Sequence, residues 1–290
     1  MKVWKEVKRE LDARGVPYRK HLLKAPGEAT LLVRALTKDL TEDCHLLVLG
    51  GDGTLNEVLN GIQDFKHTIL SCLRTGSGND FAANVGVKKN AVKALDDLLE
   101  SPMEARLDYG LIRADEQEPR RFLISCGMGY DADICEEVSR SKLKKCMNKI
   151  GLGKLVYLMI GIKQIFTRDK TDAMLYLDDQ KPIHVRGLFF VVGMNHPREG
   201  GGVPFCPDAD PTDGKLDLCL VLDMPKWKLL LAVALVYLKK HLLFRNVTCH
   251  RCKTMRLVAK KPQWIHLDGE TPYQAREVLW VSKGKVRFQK

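Results

Sequence analysis

The stretch Leu46–Ile62, LLVLGGDGTLNEVLNGI, passes from an apolar run into a glycine-rich turn and straight on into a helical pattern. Leu46–Leu49 have the length and character of a strand buried on both faces. Gly50, Gly51 and Gly53 then allow a tight turn whose backbone N–H groups can face a ligand. Beyond it Leu55, Val58, Leu59 and Ile62 keep the i, i+3, i+4, i+7 spacing of an amphipathic helix, predicted over 55–62. A glycine turn that opens a helix is an anion site, because N–H groups without helical acceptors and the helix dipole both favour phosphate. Thr54 can cap this helix or hydrogen-bond a phosphate. Asp52 is repelled by phosphate unless a cation mediates, and Mg²⁺ is the obvious mediator.

Working outward, the first third alternates helices predicted at 3–14, 28–38 and 91–100 with strands at 18–23, 45–49 and 68–73. That alternation implies an α/β layer fold with a largely parallel sheet. From about Leu107 the texture changes to short alternating segments, among them LDYGLI, RFLISCGM, AMLYLD, HVRGLFFVVGM, KLDLCLVLD and TMRLVA. These favour an antiparallel, β-rich second domain with helical interruptions at 132–167 and 226–243. The expected domains are therefore 1–107 and 108–290, separated by a change of period without a flexible linker.

Two further segments carry candidate chemistry. Ile69–Ala82, ILSCLRTGSGNDFA, again runs from strand into glycines, small polar residues and a carboxylate. Ligands in open α/β sheets bind outside the carboxyl ends of the strands, so the two loops are expected to converge. Gly76, Ser77, Gly78 and Asn79 then line a nucleotide, and Asp80 joins Asp52 around the metal. Far downstream, Trp264–Pro272, WIHLDGETP, sets Asp268 and Glu270 at a turn. Asp-Gly is ordinary turn chemistry. The functional alternative makes Glu270 a general base on an acceptor hydroxyl, with Asp268 helping through water or metal.

Composition narrows the classes. The 290 residues are 45% hydrophobic and 29% charged, the balance of a folded globular protein. Lys and Arg number 47 against 36 Asp and Glu, a net charge of +11 that suits a nucleotide or an acidic lipid surface. Basic residues cluster at Arg140–Lys149 and Lys239–His241, but no segment interleaves them with aromatics, which excludes a single-strand nucleic-acid binder. Nine cysteines, an odd number, read as reduced thiols of a cytoplasmic protein, and CHRC at Cys249–Cys252 lacks the second half of a zinc site. The opening residues form an amphipathic helix with Val7 and Leu11 on one face, not an export signal. The longest apolar run, Leu229–Leu238, has ten residues against the ~20 needed to span a bilayer, so membrane contact is expected to be peripheral.

At the three loops the sequence resembles the diacylglycerol kinase catalytic-domain family in its bacterial soluble form, related to sphingosine and ceramide kinases. The pattern covers nearly the whole chain in order: Gly50–Glu57, Gly76–Ala82, Arg106–Gly110, Gly200–Ala209, Asp213–Asp217 and Asp268–Glu270. The resemblance implies a three-layer nucleotide-binding α/β domain followed by a β-sandwich-like antiparallel domain. It implies ATP as phosphoryl donor and a lipid alcohol, diacylglycerol first, as acceptor. Asn56 and Glu57 would join the glycine loops at the nucleotide; Asp52, Asp80 and Asp108 would form the acidic network around catalytic Mg²⁺; Glu270 would accept the proton. A second cation would lie at Asp210, Asp213 and Lys215.

Three departures stand out. The chain opens inside the helix that follows the family's usual first strand, Arg74 and Ser77 replace a Pro and a Thr, and Leu23 stands where a Thr near the nucleotide is usual. Rival readings are a kinase for NAD and a catalytically weak nucleotide- or lipid-binding relative. The expected setting is cytoplasmic, at the anionic inner face of a membrane, with a homodimer left open.

Overall fold

The computed structural model describes residues 2–141 and 153–290. The basic run at 140–149 therefore lies, from 142 onward, outside the described residues. Two units are present: Met1–Asp108 together with Gly284–Lys290, and Tyr109–Lys283.

The first unit contains α1 Lys2–Ala13, α2 Glu28–Leu36, β1 Cys44–Gly50, α3 Asp52–Gly61, β2 Thr68–Arg74, α4 Asp80–Asn84 and α5 Ala91–Glu100. β1 and β2 run parallel in unbroken register from Cys44↔Thr68 to Gly50↔Arg74. The far side of β2 is taken by the end of the last strand, β11 Glu270–Gln289, with Arg287 and Phe288 beside Ile69 and Leu70. Flanked on both sides, β2 is buried from Thr68 to Leu73, Thr68 and Ser71 included.

Phe81 at the start of α4 meets Phe288 edge-on at 5.1 Å and is fully buried with Leu59, Leu70 and Leu95. Removing that one ring from water is worth roughly 2–3 kcal/mol. Asn90 caps α5 by accepting from Lys93 N at 3.0 Å. Val7 and Leu11 of α1 are buried as the helical spacing requires. The strand expected at 18–23 does not form: residues 16–24 have no regular structure, and Leu22 and Leu23 are exposed. Alternating side chains make a strand only where a neighbour takes up its backbone groups.

β3 Glu104–Ala114 leads into the second unit, which continues with β4 Arg120–Phe122, β5 Ser125–Gly129, α6 Tyr130–Arg140, α7 Gly153–Thr167, β6 Thr171–Leu177 and β7 Ile183–Met194. Then follow β8 Leu216–Leu222, α8 Lys226–Val236, a 3-10 turn Lys240–Leu243, β9 Val247–Cys252, β10 Thr254–Leu267 and β11. The registers described here, β10 with β11, β5 and β6, β3 with β4, β7 with β5, β6 and β8, and β8 with β9, are antiparallel. β6 joins the first half of β10 to the first half of β7, β5 joins their far ends, and β8 and β9 extend the sheet beyond β7. β6 alternates buried and half-buried residues, one face inward, while the last seven residues of β7 are all buried. The fold is mixed α/β, an α/β domain followed by an antiparallel β-sandwich-like domain. Cys249 and Cys252 sit three residues apart on β9, hence on opposite faces, one exposed and one buried. They cannot act as a pair.

Candidate active site

In the first unit the two glycine loops touch backbone to backbone. A Cβ placed on Gly76 would lie 2.5 Å from the Cα of Gly51, a distance no side chain tolerates. Asp52 spans the junction: its carboxylate accepts from Asp80 N at 3.0 Å and from Phe81 N at 3.1 Å, capping α4 from the other loop. Asn79 closes its own loop, accepting from Gly76 N at 2.9 Å and donating to Gly76 O at 2.6 Å, with the left-handed φ of 58° that Asn adopts more readily than most residues. Arg74 donates to Ala82 O at 3.1 Å and braces the loop from below.

The helix after the first loop starts at Asp52, three residues earlier than its apolar spacing indicates, because a glycine-containing first turn carries no hydrophobic signal. Gly51 is its N-cap and Thr54 lies inside the first turn, so the capping role considered for Thr54 is not taken up. The N–H groups of Asp52, Gly53 and Thr54 consequently have no intrahelical acceptor. Gly50 has Thr54 against it, a would-be Cβ lying 2.6 Å from Thr54 Cβ. Ser77 and Gly78 are exposed at the tip of the second loop. Asn56 and Glu57 face elsewhere: Asn56 is buried and accepts from Asn60, and Glu57 accepts from Ala29 N at 3.3 Å, tying α3 to α2.

The donor chemistry suits a hard cation. Asp52 uses two of its roughly four lone-pair positions on amides and keeps the remainder. Asp80 stands beside it at the head of α4, whereas Asp108 is buried and paired with Lys285 at 3.1 Å. Among the described residues Asp52, Asp80 and Asp108 are not gathered within 4.8 Å of one another.

In the second unit Asp268 and Gly269 form a two-residue hairpin between β10 and β11, with φ of 48° and 86° and Leu267 opposite Glu270. Both Asp268 oxygens accept backbone amides: Leu123 N at 3.0 Å, Ile124 N at 2.8 Å and Ser125 N at 3.1 Å. Glu270, the first residue of β11, is exposed.

Beneath this hairpin lies a buried charged network that the sequence reading missed. His266 Nε2 stands 2.9 Å from Asp131 Oδ2 and 3.9 Å from Glu199 Oε1, and the Ser125 hydroxyl donates to Glu199. These are the three residues among those described whose donor atoms all lie within 4.8 Å of one another. Burial by itself would depress the His266 pKa, but the Asp131 and Glu199 carboxylates overcome it and raise the imidazole to about 9. The two carboxylates thus favour the protonated form of the buried histidine.

The stretch expected to hold a second cation is organised by a guanidinium. Arg251 contacts Asp217 at 3.0 Å, Asp213 at 3.7 Å and the Asp208 carbonyl at 2.8 Å. Asp210 accepts from Thr212, and Asp213 accepts from Lys215 N at 2.9 Å.

Residues 1–110 match the model of the diacylglycerol kinase catalytic domain, and 124–281 match that of the YegS C-terminal NAD kinase beta sandwich-like domain. The chain belongs to the diacylglycerol kinase catalytic-domain family. Among relatives of this kinase family, YtlR of Bacillus subtilis strain 168, a candidate lipid kinase by its name, is 29% identical, covering 94% of this chain and 91% of that protein. A diacylglycerol kinase of Staphylococcus carnosus is 26% identical over 91% of this chain and 82% of its own length. A crystal structure titled as a diacylglycerol kinase from Bacillus anthracis str. Sterne superposes with a TM-score of 0.62 at 16% identity, covering 92% of this chain and 82% of that one, and bears on the fold alone. These relatives carry the names diacylglycerol kinase or lipid kinase.

Of this family's expected site residues, the structure joins Asp52, Asp80 and the two glycine loops, and it joins Asp268 to the hairpin of Glu270. Asn56 bonds within its own helix to Asn60, and Glu57 reaches Ala29 of α2. His266 had one visible signal, a titratable residue inside the apolar strand run WIHL, but its partners lie 135 and 67 positions away.

Proposed function

We propose that this member of the diacylglycerol kinase family transfers the γ-phosphoryl group of ATP to a lipid hydroxyl, with diacylglycerol as the leading acceptor and phosphatidic acid as product. The observation that carries the proposal is the contact of the two glycine loops at Gly51 and Gly76, with Asp52 reaching from one to cap the other. Two loops that exclude side chains from their junction leave backbone N–H groups as the surface a polyphosphate meets.

In this reading the first turn of α3 and the Gly76–Asn79 loop bind and orient the ATP phosphates. Asp52, with Asp80 and the Asp108 network, would hold Mg²⁺, which when bound neutralises charge on the transferring group. The lipid oxygen attacks the γ-phosphorus in line, the bond to the bridging oxygen of ADP breaks, and the hydroxyl proton passes to the Glu270 carboxylate. Asp268 fixes the turn that carries Glu270. The surplus of 47 Lys and Arg over 36 Asp and Glu favours working at an anionic membrane, expected to be the cytoplasmic face. Among the described residues no helix is long and apolar enough to cross a bilayer.

The deciding experiment supplies radiolabelled ATP and Mg²⁺ with mixed micelles of diacylglycerol, monoacylglycerol, ceramide or phosphatidylglycerol, with NAD in a parallel arm. Label in an organic-soluble product supports the reading and names the lipid. Label in NAD alone, or ATP binding with no transfer to any acceptor, would sink it.

A further inference from the structure

Two neighbouring helices of the second unit carry apolar residues on the side that faces solvent as well as on the side that faces the core. In α7, Val156, Ile160 and Ile165 are buried, while Leu155, Leu158, Met159, Ile162 and Phe166 form an exposed stripe at helical spacing. In α8, Leu229, Ala232 and Val236 are buried, while Trp227 and Leu231 face outward and Leu238, in the turn just after the helix, continues the exposed apolar surface, Trp227 being 62% and Leu238 64% exposed. Leu243, in the 3-10 turn that follows, is 79% exposed. The stripes adjoin where Lys226 at the start of α8 donates to the Phe166 carbonyl at 2.7 Å and lies 5.4 Å above the Phe166 ring. A contiguous exposed apolar surface shared by two helices and rimmed by charged residues marks an interaction site.

Charge says what covers it. GKLVYLMIGIKQIFT, residues 153–167, and the twenty residues 226–245 contain no Asp or Glu, whereas the second segment holds Lys226, Lys228, Lys239, Lys240 and Arg245. Trp227 and Tyr237, amphipathic aromatics suited to a headgroup layer, are both exposed on this face. Protein–protein interfaces are depleted in lysine, and a twofold pairing through this face would set these lysines against their own copies. Over their described 15 and 11 residues, α7 and α8 extend about 23 and 17 Å, short of the ~30 Å hydrocarbon core.

We propose that the outer face of α7, α8 and the Lys240–Leu243 turn is a docking surface for an anionic lipid bilayer, its apolar stripes entering the headgroup boundary and its lysines meeting lipid phosphates. The purpose of docking, presenting a membrane-resident acceptor, rests on the lipid-kinase reading; the binding itself does not.

The full chain is tested by flotation with vesicles of phosphatidylcholine alone and of phosphatidylcholine with about 30% phosphatidylglycerol, across a salt series. Wild type is expected on the anionic vesicles, released as salt rises. Trp227→Ser with Leu238→Ser should lower partitioning by on the order of tenfold, and Lys239→Gln with Lys240→Gln should flatten the salt response. Both pairs should keep wild-type phosphorylation of a short-chain, water-dispersed diacylglycerol. If wild type phosphorylates no lipid but the vesicle results hold, the kinase reading fails and the surface stands. Unchanged vesicle binding in the Trp227→Ser/Leu238→Ser protein overturns the surface. So does a change in sedimentation from dimer to monomer without a change in vesicle binding, which would assign the face to self-association.

Discussion

The glycine-loop junction of the first unit and the Asp268–Glu270 hairpin of the second use one device to different ends. Each lays an aspartate across backbone amides of a segment distant in sequence: Asp52 onto Asp80 and Phe81, Asp268 onto Leu123, Ile124 and Ser125. Around Asp52 the surroundings are mostly main chain, kept open by glycines. Beneath Asp268 lies a buried network of His266, Asp131 and Glu199. A site made of backbone suits a polyphosphate, which is recognised by N–H groups. A site resting on buried charge suits a carboxylate that must be held still for one proton transfer.

The sharpest way to separate the two regions is to impair each chemically. Glu270→Gln should leave Mg-ATP affinity nearly unchanged and cut kcat for lipid phosphorylation by about 10²–10⁴, the worth of positioned acid–base help. Asp52→Asn should lower Mg-ATP affinity and turnover together, turnover by on the order of 10³, because the lost charge serves the cation shared by the phosphates. It also turns a donor toward one of two amides that each need an acceptor, costing about 1–2 kcal/mol of stability. Nucleotide titration beside steady-state kinetics reads both. If Glu270→Gln loses ATP affinity as badly as Asp52→Asn does, the hairpin belongs to the metal network and the contrast collapses.

A structural break sharpens the same contrast. Gly76→Val should force the loops apart, since even a Cβ there would stand 2.5 Å from Gly51 Cα, and reduce nucleotide affinity by about 10² or more. Asp268→Ala should leave nucleotide affinity alone but strip acceptors from three amides, lowering stability by roughly 3–5 kcal/mol in chemical denaturation. Normal ATP affinity in a folded Gly76→Val protein would remove the phosphate role from the loops.

The two regions also differ in how far the sequence discloses them. The first is local: LLVLGGDGTLNEVL and RTGSGNDFA carry in a few consecutive residues the strand, the turn and the helix that make the junction. Only its edges are blurred, as where α3 begins at Asp52, because glycine and aspartate leave no apolar trace. Of the second, the Asp-Gly turn is legible and the network beneath it is not. Asp131, Glu199 and His266 come from α6, the loop after β7 and the end of β10, and no periodicity links them. Arg251 escapes notice for the same reason, its aspartates lying 34 to 43 residues earlier. The apolar run Leu152–Phe166 reads equally as a receptor for acyl chains and as a core helix, because a helix apolar all round does not disclose which of its faces is exposed.

A pH-dependent effect concerns the protonation of His266, and it tests whether the second region rests on charge. The folded imidazole is raised to about 9 by Asp131 and Glu199, against an unfolded value near 6.5. A raised pKa means that the folded state holds the proton more tightly than the unfolded chain does. Its contribution is therefore complete below about pH 6.5 and fades as pH climbs through 9, amounting to roughly 3 kcal/mol. The nearby Cys126 thiol is pushed well above its usual range by burial, so it stays neutral through this window. His266→Gln keeps a hydrogen bond to Asp131 and loses the charge. The gap in stability between wild type and His266→Gln, measured by denaturation from pH 6 to 10, should be widest at the acid end and close toward the alkaline end. A gap that is constant with pH would mean that His266 is neutral in the folded protein and that the network is held by hydrogen bonds alone; a gap that widens upward would reverse the sign and place the positive charge elsewhere.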